Sequence, residues 1–445
     1  MKVSVIFCLL FVAAAHAVPF LQKLSEPTEG KTWVVLVAGS NGWYNYRHQA
    51  DVYHAYQVVI NHGIPAENVI VLHYDDMANS VNNPVKGTVI YEEGGDDVYH
   101  GVPKDFVGKE VTPENFLAVL RGDETLAKAG KRVVNSGPND RIFAFFADHG
   151  APGYVSFPHS VLHATDLNKE LIQMHKDKRY STLVFYLSAC ESGTMFEKLL
   201  PADINAFAIT ATNTVESGWA CNHEPKKYKT YLAGWFAVNW LNNTVTNDPN
   251  KETLEEQYEY IKIHNNFTMD GGNYSQHAQQ YGDLTLANKD HIGQYQGGKK
   301  VFANSVARPV TGFSPSRDVP INILKHQIES ANDADEKQKY VAELNALLAG
   351  RQMLDKQIVQ YVNSIADIPG VDVNVVLNEK LELNNFAGYR QFVDTFHEHC
   401  YNLGQNTYAL GKMHAFVNIA EQLTESSAAN LAVDRLRQFC AANVA

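Results

Sequence analysis

Between residues 33 and 213, short and almost uninterrupted apolar runs alternate with segments of helical periodicity. The runs are Trp33–Ala38, Asn68–Tyr74, Arg141–Ala147, Thr182–Leu187 and Ala206–Thr212. A strand with one solvated face alternates apolar and polar positions, whereas one buried on both faces reads as continuous β-branched and aromatic sequence. These runs are of the second kind. Between them, His48–His62 reads as a helix opened near Asn45, and Pro113–Leu120 as a helix opened by Thr112. Such alternation predicts an α/β fold, a mostly parallel sheet flanked by helices. In sheets of this kind the active site lies beyond the carboxyl ends of the strands.

The pattern changes near residue 303. Residues 303–320 hold three prolines and little periodicity, and read as an exposed linker open to proteolysis. Residues 321–445 hold one proline and many helix formers. Apolar residues there recur at helical spacing, as in Val341, Leu344, Leu347 and Leu348, and in Leu431, Val433, Leu436 and Phe439. They predict a separate all-helical C-terminal domain. At the other end, Lys2, the apolar run Val3–Ala14 and Ala15-His16-Ala17 make a signal peptide over residues 1–17, with the mature chain starting near Val18. No other stretch is long and apolar enough to span a bilayer.

Composition narrows the function classes. At 445 residues and 45% apolar content the chain can bury two or three cores. A net charge of −12 argues against nucleic-acid partners and anionic membranes, and suits an acidic compartment. Export permits disulfides. Once Cys8 leaves with the leader, Cys190, Cys221, Cys400 and Cys440 remain, too few for a disulfide scaffold and without metal-site spacing, so no metal or cofactor is expected. Sequons at Asn242, Asn266 and Asn273 fit the same route as glycosylation sites.

Two apolar runs end in reactive residues: Phe143-Ala144-Phe145-Phe146-Ala147-Asp148-His149-Gly150 and Leu183-Val184-Phe185-Tyr186-Leu187-Ser188-Ala189-Cys190-Glu191-Ser192-Gly193. Neighbouring parallel strands would bring His149 and Cys190 to one edge of the sheet. Cysteine attacks carbonyls as thiolate, and an adjacent imidazole accepts its proton. Gly150 leaves room for a backbone N–H to face a developing oxyanion, with the Cys190 N–H as second donor. Taken singly, such a cysteine is more often a small buried hydrophobe and such a histidine a core residue. Together, each followed by glycine within three residues, they favour catalysis.

These two strand ends resemble the legumain family of caspase-like cysteine peptidases. The stretches Val37–Asp51, Tyr74–Asp76, Gly101–Asp105 and Thr112–Asp123 resemble it almost residue for residue, and the likeness covers nearly the whole mature chain. The resemblance implies a caspase-like sheet, a short N-terminal propeptide, Cys190 as nucleophile, His149 as base, and Asn45 orienting the imidazole through its side chain or the local backbone. Asp148 matches a position that can cyclise to succinimide; shaping the turn is an equal alternative. In the substrate pocket Arg47, His48 and Ser217 match. Ser188 stands where the family has Glu, and Gly234 where it has Asp. A pocket with Arg47 and no carboxylates would be net positive and would favour Asp over Asn before the scissile bond, or accept both. Alternatively, Ser188 and waters satisfy the Asn amide, or substrate binds weakly.

The helical domain corresponds to the family's C-terminal prodomain, which covers the active site and would leave at acid pH as carboxylates protonate. Asn304, Asp318, Asn332, Asp333 and Asp335 are candidate cleavage points. Cys400 and Cys440 match one family disulfide, Ala420 marks the loss of another, and Cys221 is left unpaired and buried. Implied partners are peptide and protein substrates, the chain's own prodomain and cystatin-type inhibitors. The implied setting is the secretory pathway, with a lysosomal, endosomal, gut-lumen or extracellular destination. Peptide ligation through the same thioester and a catalytically weak binding protein are the rival functions. Arg121-Gly122-Asp123 reads as a solvated helix end rather than an integrin motif.

Overall fold

The computed structural model describes residues 30–301 and 309–444. The leader peptide and Asn304 fall outside them. Seven strands form the central sheet: Thr32–Ala38 (β1), Val69–His73 (β2), Phe106–Val107 (β3), Arg141–Ala147 (β4), Thr182–Ser188 (β5), Ala206–Thr210 (β6) and Gln279–Gly282 (β7). Their order is β7-β6-β5-β4-β1-β2-β3, and all neighbours are parallel except β7 with β6.

The continuous apolar runs have the cause expected of them. Successive side chains of a strand point to opposite faces. Val34, Leu36, Phe143, Phe145, Val184 and Tyr186 enter one core with helices Tyr46–Asn61 and Trp235–Thr246. Val35, Val37, Ile142, Ala144, Leu183 and Phe185 enter the other with helices Pro113–Arg121 and Ala164–Lys176. Thr112 caps its helix as its position predicts, Oγ1 accepting from the Asn115 N–H at 3.2 Å. Arg121-Gly122-Asp123 joins that helix to the short helix Glu124–Lys128, with Arg121 held by Asp123 and Glu170.

Residues 319–443 are helical, including Val319–Ser330, Ala334–Ser364, Phe386–His399, His414–Gln422 and Ser426–Asn443. Their core gathers Leu354, Tyr361, Phe392, Phe396, Phe416 and Leu436, and takes in Ala151 and Tyr154 from the sheet-bearing region. A disulfide joins Cys400 to Cys440 across 40 positions. By loop-closure entropy a crosslink of that span contributes roughly 3–4 kcal/mol. The stripe at the start of Ala334–Ser364 is not core: Val341 and Leu348 are exposed.

The structure corrects the reading of the linker as exposed for residues 314–319, while 303–308 lie outside the described residues. Ser314, Ser316 and Val319 are buried. Ser314–Pro315 forms a short antiparallel strand on Trp219–Glu224, pairing Trp219 with Pro315 and Ala220 with Ser314. A segment without its own periodicity still acquires structure by adding to a neighbour's edge, and proline is tolerated on an edge strand. Among the sequons, Asn266 and Asn273 are exposed on the hairpin Asn266–Met269 and Gly272–Ser275. Asn242 instead sits half-buried in a helix, and its Thr244 is fully buried, donating to Trp240 O. That is a poor surface acceptor.

Candidate active site

Strands β1, β4 and β5 end level with one another, Ala38 beside Ala147 and Ala147 beside Ser188. The loops that follow carry Ser40 to Asn45, Asp148 to Gly150, and Cys190. They are tightly apposed. A Cβ on Gly150 would lie 2.5 Å from Cys190 O, so only glycine lets the histidine and cysteine loops approach this closely. Cys190 and His149 are both buried.

Asn45 precedes helix Tyr46–Asn61 in the N-cap position, yet its side chain caps nothing. The capping bond, ordinarily about 1 kcal/mol, is forgone because the amide is used elsewhere. Its Nδ2 donates to Asn41 O at 2.9 Å, which turns Oδ1 toward His149 Nε2 at 2.7 Å. The imidazole therefore carries its proton on Nε2 and keeps its lone pair on Nδ1, which is buried without a partner. Of the two routes considered for Asn45, the side chain is the one observed.

Burial holds His149 well below its ordinary value, with the Arg47 and Arg317 charges adding to it. Burial also pushes the Cys190 thiol up, against the Arg317 charge. The Gly218 N–H donates to Cys190 Sγ at 3.3 Å. The next residue, Glu191, adopts a left-handed conformation at φ 47°. Strain of this kind, about 1–3 kcal/mol, gathers where the surroundings over-determine a functional loop.

His48 packs edge-on against His149 with ring centroids 4.9 Å apart. Its Nδ1 lies 2.7 Å from Ser40 Oγ and 3.4 Å from Asp148 Oδ1, and burial, then Arg47 and His149, keep it far below its usual pKa. Burial pushes the Asp148 carboxyl well up. His48, Asp148 and His149 could each offer a metal one atom, all within 4.8 Å of one another, but Ser40 and Asn45 already engage one nitrogen of each ring.

Arg47, Ser188, Gly234, Trp219 and Ser316 line a small pocket beside Cys190, with about 20 Å³ left open. Arg47 is buried, donating to Tyr44 O at 3.0 Å and to Ser316 Oγ at 2.7 Å. Burial lowers its pKa, while Asp51, Cys190 and Asp148 support its charge. Asp51 lies directly behind Gly234, its Oδ1 accepting the Gly234 N–H at 2.9 Å, and burial pushes its carboxyl well up. Asp51 is one turn along the same helix from Arg47, and that four-residue spacing was the sequence signal for it.

Ser316 and Arg317 went unnoticed in the sequence. The Ser316 N–H donates to Gly218 O at 2.9 Å. Arg317 spans the cleft, its Nη1 donating to Glu191 Oε1 at 3.0 Å and Ser217 Oγ at 2.8 Å, its Nη2 to Glu191 Oε2 at 2.7 Å and Gly150 O at 3.0 Å. Ser217 thus meets Arg317. Cys221 is buried away from this cluster; its thiol points to Ala233 O, and burial raises its pKa. It has the environment of an inert thiol.

The sequence model of the Peptidase C13 family matches residues 32–298. Legumain of Homo sapiens is 42% identical over 407 residues, which cover 90% of this chain and 91% of that protein. Legumain of Bos taurus is 41% identical, covering 93% and 94%. The vacuolar-processing enzyme beta-isozyme of Arabidopsis thaliana is 36% identical, covering 92% and 90%. Among solved structures, caspase-1 from Spodoptera frugiperda aligns over 57% of this chain and 87% of its own at 8% identity, with a TM-score of 0.35. With a family match over more than half its length and relatives similar from end to end, the chain belongs to the peptidase C13 family and is a cysteine endopeptidase.

Proposed function

We propose that the chain is the zymogen of an endopeptidase cleaving after Asn and Asp, with Cys190 as nucleophile and His149 as base, held latent by its own C-terminal region and released at acid pH. One observation carries this reading. Residues 314–317 lie in the cleft in the manner of a bound peptide, antiparallel to Trp219–Glu224, with Ser316 against Arg47 and Arg317 over the Cys190 loop.

The chemistry follows from the tautomer of His149. Its Nδ1 takes the Cys190 proton, the thiolate attacks the scissile carbonyl, and the oxyanion forms beside the Gly150 and Cys190 N–H groups. The C–N bond breaks as the amine takes the proton from the imidazole, leaving a thioester. Water, deprotonated by the same nitrogen, releases the acid and restores the thiol. Asn45 holds the ring without ionising. Arg47, once freed from Ser316, donates to the side-chain oxygen of the substrate Asn or Asp.

Among the candidate cleavage points, Asp318 is half-buried and bonded to Arg351 at 2.8 Å. Asn332, Asp333 and Asp335 are exposed at the turn between helices Val319–Ser330 and Ala334–Ser364, and we assign activation there. An acidic destination of the secretory pathway fits this latency, as does the name of the plant relatives. No described helix is long and apolar enough to cross a membrane.

The test is to incubate the purified precursor and its Cys190→Ala variant at acid and neutral pH and to sequence the new ends. The wild type is expected to cut itself in the 332–335 turn at acid pH and then hydrolyse Asn and Asp peptides, while Cys190→Ala stays whole. Self-cutting by Cys190→Ala, or an opened chain that turns over neither peptide, would overturn the reading.

A further inference from the structure

The segment in the cleft follows strand Trp219–Glu224 further than its two paired positions, since the Asn222 N–H also donates to Thr311 O at 2.8 Å. With Ser316 against Arg47, Phe313 falls three residues earlier in that segment. Its ring stacks on Phe267 with centroids 3.9 Å apart and meets Trp235 edge-on at 5.1 Å. Trp219 packs edge-on against Phe267 at 4.9 Å, and Tyr274 stacks on Phe267 at 5.7 Å. Phe267 and Tyr274 face one another across the hairpin Asn266–Met269 and Gly272–Ser275. Side chains alternate along a strand, so these two rings share one face, while Asn266, Thr268 and Asn273 are exposed on the other. A lone two-stranded hairpin is marginal in water; here its aromatic face is covered by Trp219, Trp235 and Phe313. Trp219 also lines the pocket beside Cys190, and Trp235 directly follows Gly234 of that pocket. The aromatic box and the pocket therefore adjoin along one peptide path.

We propose that Trp219, Trp235, Phe267 and Tyr274 form a second substrate subsite, which takes an aromatic side chain three residues before the residue held by Arg47. The inference rests on the proposed cleavage and on residues 314–317 lying as a bound peptide does. Once the segment leaves, the ring faces that Phe313 covers are bare to water. An aromatic side chain of the substrate restores the stacked contact with Phe267 and the edge-on contact with Trp235, and an alanine does not. The contact is made away from the scissile carbonyl and does not change as bonds break. It therefore favours ground and transition states alike, and acts through KM rather than kcat.

The experiment uses the acid-activated enzyme and three peptides cleaved after Asn. One has Phe three residues before the Asn, one has Phe two residues before it, and one has Ala at both positions. For each, kcat and KM are measured in wild type, Phe267→Ala and Tyr274→Ala. In wild type the first peptide is expected to exceed the Ala peptide about tenfold in kcat/KM, through KM, and the second to stay within about twofold of it. Phe267→Ala is expected to bring the first ratio within about twofold, and Tyr274→Ala, which removes only the ring behind Phe267, to lower it about threefold. If Phe267→Ala does not fold, Tyr274→Ala decides alone. A wild-type ratio within about twofold, or a full ratio kept in every folded variant, would overturn the subsite. A gain of that size from the second peptide instead would overturn the register read from residues 314–317. A wild-type enzyme that cleaves none of the three would overturn the function on which both rest.

Discussion

The C-terminal region meets the peptidase region in two different ways. At the rim, Lys198 pairs with Glu382 and Arg390 with Asp166, all with side chains at least 39% exposed. In the cleft, Arg317 and Glu191 pair with side chains 15% and 2% exposed. Water screens the rim pairs, and exposed pairs typically contribute about 0–1 kcal/mol. A buried pair is itself weak evidence of net stability, but removing one partner strands a charge and costs about 3–5 kcal/mol. Many contacts position the helical region, therefore, while the proposed latency leans on one buried pair in the cleft.

The largest effect is expected from Arg317→Ala. With Glu191 left alone, peptide hydrolysis by the uncut precursor at neutral pH should rise by about a hundredfold or more. Latency as tight as wild type would break the contrast between cleft and rim. An intermediate effect is expected from Glu191→Gln, and its sign depends on the reference state. Burial raises the Glu191 pKa above its ordinary value and Arg317 draws it back. Relative to the unfolded chain, ionised Glu191 is a burden at neutral pH that fades as pH falls. For as long as Glu191 stays buried when Arg317 withdraws, its pKa rises further, because the Arg317 charge that draws it down is gone. Closure is thus favoured while Glu191 is ionised, and loses that contribution as pH falls through the closed-state value. Glu191→Gln should open the precursor about tenfold faster at neutral pH and flatten the acid dependence, read as half-life against pH. The smallest change is expected from Arg390→Ala, less than about fivefold in the same assay; a larger one would move control of latency to the rim.

The same contrast marks what the sequence made legible. Continuous runs such as Arg141–Ala147 announced strands buried on both faces, and their ends set the His149 and Cys190 loops side by side, because a parallel sheet sets its strand ends level. Asn45 was visible as a helix start, but not that its amide serves His149 instead of the helix. Ser316 and Arg317 were hidden because their order comes from another strand's edge and from Glu191, 126 positions away, and neither leaves a local period. Asp51 was concealed differently. Its spacing from Arg47 was plain, but that it packs against residue 234 depends on Gly234 lacking a side chain.

The exposed turn at 332–335 lies after the cleft segment 314–317 and before the bulk of the helical region. If the chain is latent as proposed, a single cut there splits that latency into two kinds of blockade. Residues 309–330 stay covalently joined to the peptidase, so their hold on the cleft is indifferent to dilution. The fragment beyond, bearing the Cys400–Cys440 bridge, becomes a separate molecule whose departure follows protein concentration. Activity should then appear in two kinetic phases, only one of which moves when the enzyme is diluted.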